Sequence, residues 1–340
     1  MGFTDSQKNR ALVHGKLPQP KNEDCSNEGE MNRHSIQHSF VVCADTQLGM
    51  LRGNLSWETE LGYARQAVGL INSLDPLPSF CCVCGDLVDM EYTFFEGKGF
   101  TRSECDDIQD RQNDDFKQVW SKLHPDIALV CLCGNHDVGN RPTKNSIEKF
   151  KNAFGDDYLA FWVNGTYNIV VNSCLFSNPT GAMDLYDEQV RWLEKRLKYA
   201  DSMQAAHIFV FGHHPWFLYA EDETKEDLNG VTPFPVEWGP SDLVFPDHYF
   251  HIPIHYRAQV MELFQKYHVS AAFSGHFHQN LVSKSSWGMD MIITGPLSMV
   301  FESTGKPSAS NEPNGRGVRV VRCTIPSSGK GSFNHQFEPL

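Results

Sequence analysis

The sequence lacks several features, and each absence excludes a class of protein. It contains no run of eighteen apolar residues, the length that a membrane-spanning helix needs. The opening residues also contain no apolar stretch of the kind found in secretory signals. Positive charge is scarce, because 29 Lys and Arg residues stand against 42 Asp and Glu residues, which gives a net charge of −13. Neither a membrane protein nor a binder of duplex nucleic acid is therefore expected.

Cysteine is plentiful, but the cysteine spacing typical of zinc sites is missing. Cys82 and Cys84 are separated by one residue, as are Cys131 and Cys133, whereas zinc-binding pairs are usually separated by two or more. Cysteine in short apolar runs usually acts as a small buried hydrophobe. We therefore predict buried free thiols and a reducing, cytoplasmic compartment. Six of the ten cysteines lie in such runs, namely Cys43, Cys81, Cys82, Cys84, Cys131 and Cys133.

The chain divides into a long central region and two ends. Residues 1–36 are polar and aperiodic, which predicts a disordered or loosely attached N-terminal tail. Residues 37–325 are predicted to form a single domain, and residues 326–340 a C-terminal tail. A long insert at 219–256 is rich in acidic, proline and aromatic residues. Loops of this length in a compact domain are usually functional or disordered.

Within the central region, apolar runs alternate with helical patterns. The runs at 40–44, 80–84 and 207–211 are short and almost wholly apolar, which is typical of strands covered on both faces of a sheet. Between them apolar residues recur at helical spacing, as Leu61 and Val68 do. Strands alternating with helices indicate an α/β fold.

Five of the predicted strands end in a polar cluster, and each cluster offers side chains that can bind a metal. Ligands of open α/β folds bind at the carboxyl ends of strands. A single cluster is weak evidence for a functional site, since an isolated Gly-Asp is usually a turn. Five clusters at strand ends favour a shared site. The clusters are Asp45-Thr46-Gln47, Gly85-Asp86-Leu87-Val88-Asp89, Gly134-Asn135-His136-Asp137, Gly212-His213-His214-Pro215 and Gly275-His276-Phe277-His278.

The order of these clusters resembles the calcineurin-like metallophosphoesterases, whose blocks read D-x-H, GDxxD, GNHD, a block containing histidine, and GHxH. Here the blocks read DTQ, GDLVD, GNHD, GHHP and GHFH. The runs GNHDVGN at 134–140, GDDY at 155–158 and GRG at 315–317 also resemble the complete-S-transactivated type of this family, which is described as cytosolic serine/threonine phosphatases. The resemblance implies a four-layer α/β sandwich, with two mixed β-sheets flanked by helices.

The resemblance also implies a cofactor of two divalent metal ions, and mixed oxygen and nitrogen ligands favour Mn, Fe or Zn. Asp86 would bridge the ions, because a bridging ligand must be an anionic carboxylate. One metal would be bound by Asp45, Asp86 and His278, and Gln47 would occupy the place of the usual histidine in the first block. The family pattern selects His213 over His214 for the other metal, which would be bound by Asp86, Asn135, His213 and His276.

The family pattern leaves His136 outside the metal ligands. His136 would protonate the leaving alkoxide or stabilise charge on the phosphoryl oxygens, and Asp137 would either orient His136 as a second catalytic residue or cap a helix. Asp89 is expected to lie behind the ligands. Asn135, His136 and His214 are the candidate substrate-binding residues.

These expectations describe a metal-dependent phosphomonoesterase in which a metal-bridging hydroxide attacks a phosphate ester, of the protein-serine/threonine phosphatase type. A phosphodiesterase acting on cyclic nucleotides or nucleotide-derived diesters is the enzyme alternative, since the same motifs serve both reactions. The neutral Gln47 leaves a third alternative, a metal-poor scaffold protein. The expected partner is a phosphoprotein or a small phosphorylated substrate, and the expected state is a monomer.

The insert leaves two interpretations open. It either covers a hydrophobic edge of the domain or forms a lid at the mouth of the cleft. If it is a lid, its acidic stretch at 221–223 is expected to disfavour acidic phosphopeptides.

Overall fold

The computed structural model describes residues 35–228, 230–233, 244–302, 311–326 and 331–340. The predicted N-terminal tail therefore lies outside the described residues, apart from its last two positions. The strands in the described residues are β1 (Ile36–Cys43), β2 (Phe80–Cys84), β3 (Ala128–Leu132), β4 (Leu159–Val163), β5 (Thr166–Val170), β6 (His207–Phe211), β7 (Val231–Pro233), β8 (Val244–Pro246), β9 (Ala271–Ser274), β10 (Leu281–Lys284), β11 (Asp290–Ile293), β12 (Gly317–Ile325) and β13 (Ser332–Pro339).

Helices occupy much of the chain between the strands. The α-helices of the described residues are α1 (Glu58–Asn72), α2 (Tyr92–Phe95), α3 (Arg102–Trp120), α4 (Asn135–Val138), α5 (Lys144–Phe154), α6 (Ser173–Ser177), α7 (Met183–Ser202) and α8 (Ile254–Lys266). Within the same described residues, short 3₁₀ turns lie at Met50–Arg52, Pro179–Gly181 and Asp247–Phe250.

Two large mixed sheets form the centre of the fold. The first has the strand order β13-β12-β1-β2-β3, and the second has the order β10-β11-β9-β6-β5-β4. β1, β2 and β3 run parallel to one another, as do β5, β6 and β9. The carboxyl ends of neighbouring parallel strands therefore meet at one edge of each sheet.

The sheets are buried on both faces, as their apolar sequences predict. In β2 the side chains of Cys82 and Cys84 join the core between the sheets, while Cys81 and Val83 join the core on the other face. That outer core includes Phe116 of α3. Helices α7 and α8 contribute to a third core with the second sheet. The predicted α/β sandwich of two mixed sheets flanked by helices is confirmed.

The structure differs from the sequence prediction at several places, which include the strands β4 and β10 that were not predicted. The predicted C-terminal tail 326–340 is wrong over its last part, because β13 pairs antiparallel with β12 along its length. This edge strand is polar and mostly half-exposed, so it carries no apolar run to reveal it. Helix α5 was not predicted, although Ile147, Phe150 and Phe154 form its buried face.

The nine described cysteines are buried and none of them forms a disulfide, as predicted for the six that lie in apolar runs. The Sγ atoms of Cys43 and Cys81 lie 3.8 Å apart. Among the described residues, no helix is both long and apolar enough to cross a membrane.

Candidate metal centre

The site forms where the carboxyl ends of strands from both sheets face each other. The backbone N–H of His276, after β9, donates to Oδ1 of Asp45, after β1, at 3.0 Å. Nε2 of His213, after β6, lies 3.3 Å from Oδ2 of Asp86, after β2. All four residues are buried. The strand-end clusters therefore belong to one site, with each sheet supplying part of it.

The backbone turns sharply at the strand ends. Asp45, Asp86 and His276 have φ values of 50°, 47° and 67°, in the left-handed region that non-glycine residues rarely adopt. Gln47 and His278 share this conformation. Strain of this kind persists only where the surrounding structure enforces it, and it is concentrated at functional sites. Here the strained conformation occurs at five candidate ligands, where the chain turns away from the strand direction.

The glycines of the motifs leave the space that the carboxylates fill. A Cβ atom added to Gly134 would collide with the carboxylate and backbone nitrogen of Asp86. A Cβ added to Gly275 would lie 2.5 Å from Oδ2 of Asp45. Glycine is therefore required at these strand ends because a neighbouring carboxylate passes against the backbone.

Four side chains converge on one point, which we call position 2 (Asp86, Asn135, His213 and His276). Besides its approach to Asp86, Nε2 of His213 lies 2.9 Å from Oδ1 of Asn135 and 3.1 Å from Nδ1 of His276. Nδ1 of His213 lies 2.9 Å from the carbonyl oxygen of Cys84, to which it can donate its proton. Nε2 is then free to offer a lone pair beside three other ligand atoms. Such a convergence of acceptors suits a divalent cation.

The other two candidate histidine ligands are oriented in the same way. Nε2 of His276 lies 3.4 Å from the carbonyl oxygen of Tyr249, and Nδ1 of His278 lies 2.6 Å from that of Met299. Metal-binding histidines usually donate their second ring N–H to such an acceptor, which fixes the tautomer that binds the metal. The backbone therefore directs Nδ1 of His276 and Nε2 of His278 towards the site.

A second group of candidate ligands forms position 1 (Asp45, Gln47, Asp86 and His278). Nε2 of His278 lies 3.8 Å from Oδ1 of Asp45. The amide Nε2 of Gln47 donates to Oδ1 of Asp89 at 3.3 Å, and its buried Oε1 has no hydrogen-bond partner among the described residues. A buried amide oxygen without a partner costs stability, and a bound cation would satisfy it. Gln47 is therefore oriented as a ligand would be.

Electrostatics also favour cations between the carboxylates. Ligand atoms of Asp45, Asp86 and His213 all lie within 4.8 Å of one another. Burial, together with the charge of Asp86, outweighs the attraction of His213 and raises the pKa of Asp45 to about 7. For His213, burial lowers the pKa, but Asp86 and Asp45 outweigh it and raise the pKa to about 10. A proton and a cation therefore compete for these ligands, and bound cations would offset the cost of two buried carboxylates.

His136 lies beside the site with its side chain 16% exposed. Its Nδ1 lies 3.0 Å from Oδ1 of Asp89, and its ring stacks on Phe94 with centroids 4.2 Å apart. Burial lowers the pKa of His136, but Asp86 and Asp89 outweigh burial and raise the pKa to about 9. A protonated imidazole fixed at Nδ1 leaves Nε2 as the proton donor.

Of the two roles predicted for Asp137, the one that required a hydrogen bond with His136 is not seen in the structure. The carboxylate of Asp137 instead accepts the backbone N–H groups of Gly134 at 2.7 Å and of Leu87 at 3.1 Å. It lies in the first turn of α4, where an acidic side chain satisfies free N–H groups. Asp137 therefore fixes the loops after β2 and β3, while Asp89 orients His136.

His214 is buried, with 3% of its surface exposed. Its Nδ1 lies 3.2 Å from Oγ of Ser173, which also accepts the backbone N–H of His213 and of His214. His214, which was predicted to bind substrate, is thus a buried residue that packs against His276, with ring centroids 4.3 Å apart.

The family model described as calcineurin-like phosphoesterase matches residues 38–280, a range that includes every candidate ligand. The chain belongs to the calcineurin-like phosphoesterases. It is therefore a metal-dependent phosphoesterase.

Curated relatives of this phosphoesterase agree with the family model. A Danio rerio protein named serine/threonine-protein phosphatase CPPED1 is 33% identical over 276 residues, which cover 78% of each chain. The Homo sapiens protein of the same name is 32% identical over 267 residues, which cover 76% of this chain and 74% of the relative.

Solved structures resemble this phosphoesterase in fold. A dimetal phosphatase from Danio rerio superimposes with a TM-score of 0.50 at 13% identity, covering 87% of this chain and 98% of that one. GAP50, the anchor in the inner membrane complex of Plasmodium, gives a TM-score of 0.52 at 17% identity, covering 88% and 84%.

The insert of this phosphoesterase reaches the candidate site. The ring of Tyr249 lies 5.2 Å from that of His276, and buried Phe250 lies 5.0 Å from Phe277. Phe234 and Trp238 of the insert lie outside the described residues. The described part therefore packs against the site as well as against the core.

The acidic stretch at 221–223 does not present all its charges as expected. Glu223 is buried, and its carboxylate accepts the backbone N–H groups of Leu218 and Tyr219. Glu221 accepts the backbone N–H of Ser286 at 3.0 Å. Two of the three acids therefore hold the insert in place, and the discrimination against acidic phosphopeptides stays a prediction.

Sequence reasoning missed two groups around His136. Phe94 stacks on its ring, and Nδ2 of Asn54 donates to Oδ2 of Asp89 at 2.7 Å. Neither residue belongs to a strand-end cluster. The sequence feature that could have indicated Phe94 is the length of the loop after β2, which allows Phe94 to reach the cleft.

Proposed function

We propose that this phosphoesterase is a phosphomonoesterase that removes phosphate from phosphoserine or phosphothreonine, using two divalent metal ions at positions 1 and 2. The curated relatives named serine/threonine-protein phosphatase support this substrate class. A cytoplasmic monomer without nucleic-acid or membrane partners is part of the proposal, supported by the free thiols and the net charge of −13.

The observation that carries the proposal is the shared carboxylate of Asp86. It belongs to the ligand groups of both positions, and its other oxygen, Oδ1, accepts the backbone N–H of His136 at 2.8 Å. Asp86 thus joins two metal positions to the residue best placed to donate a proton.

When bound, two divalent ions would supply Lewis acidity, clamping the phosphoryl oxygens and activating a water molecule. This chain's own residues supply the remaining chemistry. Asp89 holds Nδ1 of His136, so that Nε2 can donate a proton to the oxygen of the departing serine or threonine. Phe94 covers one face of the imidazole and limits its rotation.

The first experiment measures hydrolysis of 4-nitrophenyl phosphate and of phosphoserine and phosphothreonine peptides by protein freed of metal and then supplied with Mn, Fe or Zn. We expect hydrolysis only with added metal and two ions bound per chain. Faster hydrolysis of bis-(4-nitrophenyl) phosphate than of the monoester would favour the phosphodiesterase alternative. A protein that binds no metal at saturating Mn would be the scaffold, and the proposal would be wrong.

A further inference from the structure

We propose that the insert is a structural part of metal position 2, and that Tyr249 is the residue that positions two of its ligands. This inference rests on the proposed two-metal function. It concerns Asn135 and His276, which approach position 2 from different sheets.

The phenol of Tyr249 sets the orientation of the Asn135 amide. Nδ2 of Asn135 donates to the Tyr249 hydroxyl oxygen at 3.4 Å, while Oδ1 of the same amide lies 2.9 Å from Nε2 of His213. An amide can be rotated by 180° with almost no change in shape, so a partner on its nitrogen decides which atom faces the metal. Tyr249 thereby directs the oxygen, the atom that can bind a cation, into position 2.

A second contact extends this arrangement to the end of the GNHDVGN motif. The Tyr249 hydroxyl donates to Oδ1 of Asn140 at 3.3 Å. With its proton directed to Asn140, the hydroxyl oxygen is free to accept from Asn135. Asn140 is exposed and its side chain takes no other described part in the site, which gives this last residue of the motif a specific purpose.

The backbone of Tyr249 acts on the other ligand. Its carbonyl oxygen lies 3.4 Å from Nε2 of His276, so that Nδ1 faces position 2. The tyrosine ring also packs on the imidazole, with centroids 5.2 Å apart. One residue of the insert therefore orients Asn135 through its side chain and His276 through its main chain.

The insert is built firmly enough to perform this task. Buried Arg257 donates through Nη1 to the carbonyl oxygen of Ile252 at 2.6 Å and through Nη2 to those of Glu221 and Glu223, which ties together the two ends of the insert. Phe250, next to Tyr249, is 1% exposed between His276 and Phe277. Tyr249 is thus fixed to the body of the domain on both sides.

The test measures Mn binding by calorimetry to full-length protein freed of metal, comparing wild type with Tyr249→Phe. Loss of the hydroxyl should weaken one of the two binding steps by about tenfold, the lower end of the range for groups that orient metal ligands. Asn140→Ala should weaken the same step by less. The double variant should bind Mn no more weakly than Tyr249→Phe, because both changes interrupt one chain of hydrogen bonds.

Tyr256→Phe is the matched control, since Tyr256 lies in the same insert and packs on Tyr186, away from the metal ligands. It should leave both binding steps unchanged. Thermal unfolding of the metal-free variants checks that each one folds. Wild-type affinity in Tyr249→Phe, or equal weakening in Tyr256→Phe, would overturn the inference while leaving the proposed function intact. A wild-type protein that binds no Mn would overturn both.

Discussion

The two metal positions are built differently, although they share Asp86. At position 2 the ligand atoms lie 2.9–3.3 Å from Nε2 of His213, and both histidines are fixed by backbone carbonyls. At position 1 His278 stands 3.8 Å from Asp45, and Gln47 is held by a side chain, Asp89. Position 2 is therefore oriented by main-chain carbonyls and the insert, while position 1 combines the carbonyl of Met299, which orients His278, with a neighbouring carboxylate, which orients Gln47.

This difference indicates which substitutions in one part of the site are expected to affect another part. Asp89 contacts Nε2 of Gln47, Nδ2 of Asn54 and Nδ1 of His136, so position 1 and the proton donor share one carboxylate. A substitution at Gln47 is therefore expected to affect His136 through Asp89, which contacts both side chains. Position 2 is linked to His136 through Asp86, whose Oδ1 accepts the backbone N–H of His136.

The largest effect is expected from the residue common to both positions. Asp86→Asn keeps the shape but removes the bridging charge, so both ions should bind weakly and activity should fall on the order of 1,000-fold or more. Metal analysis and turnover of 4-nitrophenyl phosphate check this. Retention of two tightly bound ions would mean that Asp86 is not shared.

His136→Ala should lower kcat by roughly 100-fold to 1,000-fold, because the leaving oxygen loses its proton donor. Both ions should remain bound, since the histidine side chain belongs to neither position. Leaving groups of low pKa, which need no proton, should be affected least. A variant with full turnover on phosphoserine peptides would exclude this role.

Gln47→His tests position 1 alone. The imidazole should tighten one Mn-binding step by about tenfold, or ~1.4 kcal/mol. Position 2 should bind as before, because the described contact of Gln47 with a position 2 ligand joins backbone atoms, from the N–H of Gln47 to the carbonyl oxygen of Asp86, which the substitution leaves in place. Calorimetry of the metal-free protein separates the two steps, and weaker binding in both would contradict the assignment of Gln47 to position 1.

The smallest effect is expected from Phe94→Leu. The ring stacked on His136 contributes about 0.5–1.5 kcal/mol, so kcat should fall by about tenfold at most while both metal affinities stay unchanged. The pH profile of kcat should shift together with the loss. A change in KM alone would instead assign Phe94 to substrate binding.

Much of this site could be predicted because strand ends carry local signals. The apolar runs identify the strands, and the glycine and acidic or histidine pairs that follow identify the turns. The resemblance to the family indicated which ligands bind at metal position 1 and which at metal position 2. The fold class followed from the same alternation of strands and helices.

The remainder depends on contacts that local sequence does not encode. Asp89 and Asp137 occupy equivalent places at the ends of their motifs, and only the tertiary structure shows which carboxylate faces His136. The carbonyls of Cys84, Tyr249 and Met299 orient the histidines, and a backbone oxygen leaves no trace in side-chain identity.

The place of β1 between β2 and β12 has a consequence for biosynthesis. Ile36 pairs with Ile325, so one edge of β1 has no strand beside it until nearly the whole domain has left the ribosome. Pairing between such distant segments is slow, and an open strand edge invites association with other chains. We therefore expect nascent chains that stop short of β12 to need chaperones, and the metal centre at the end of β1 to assemble late.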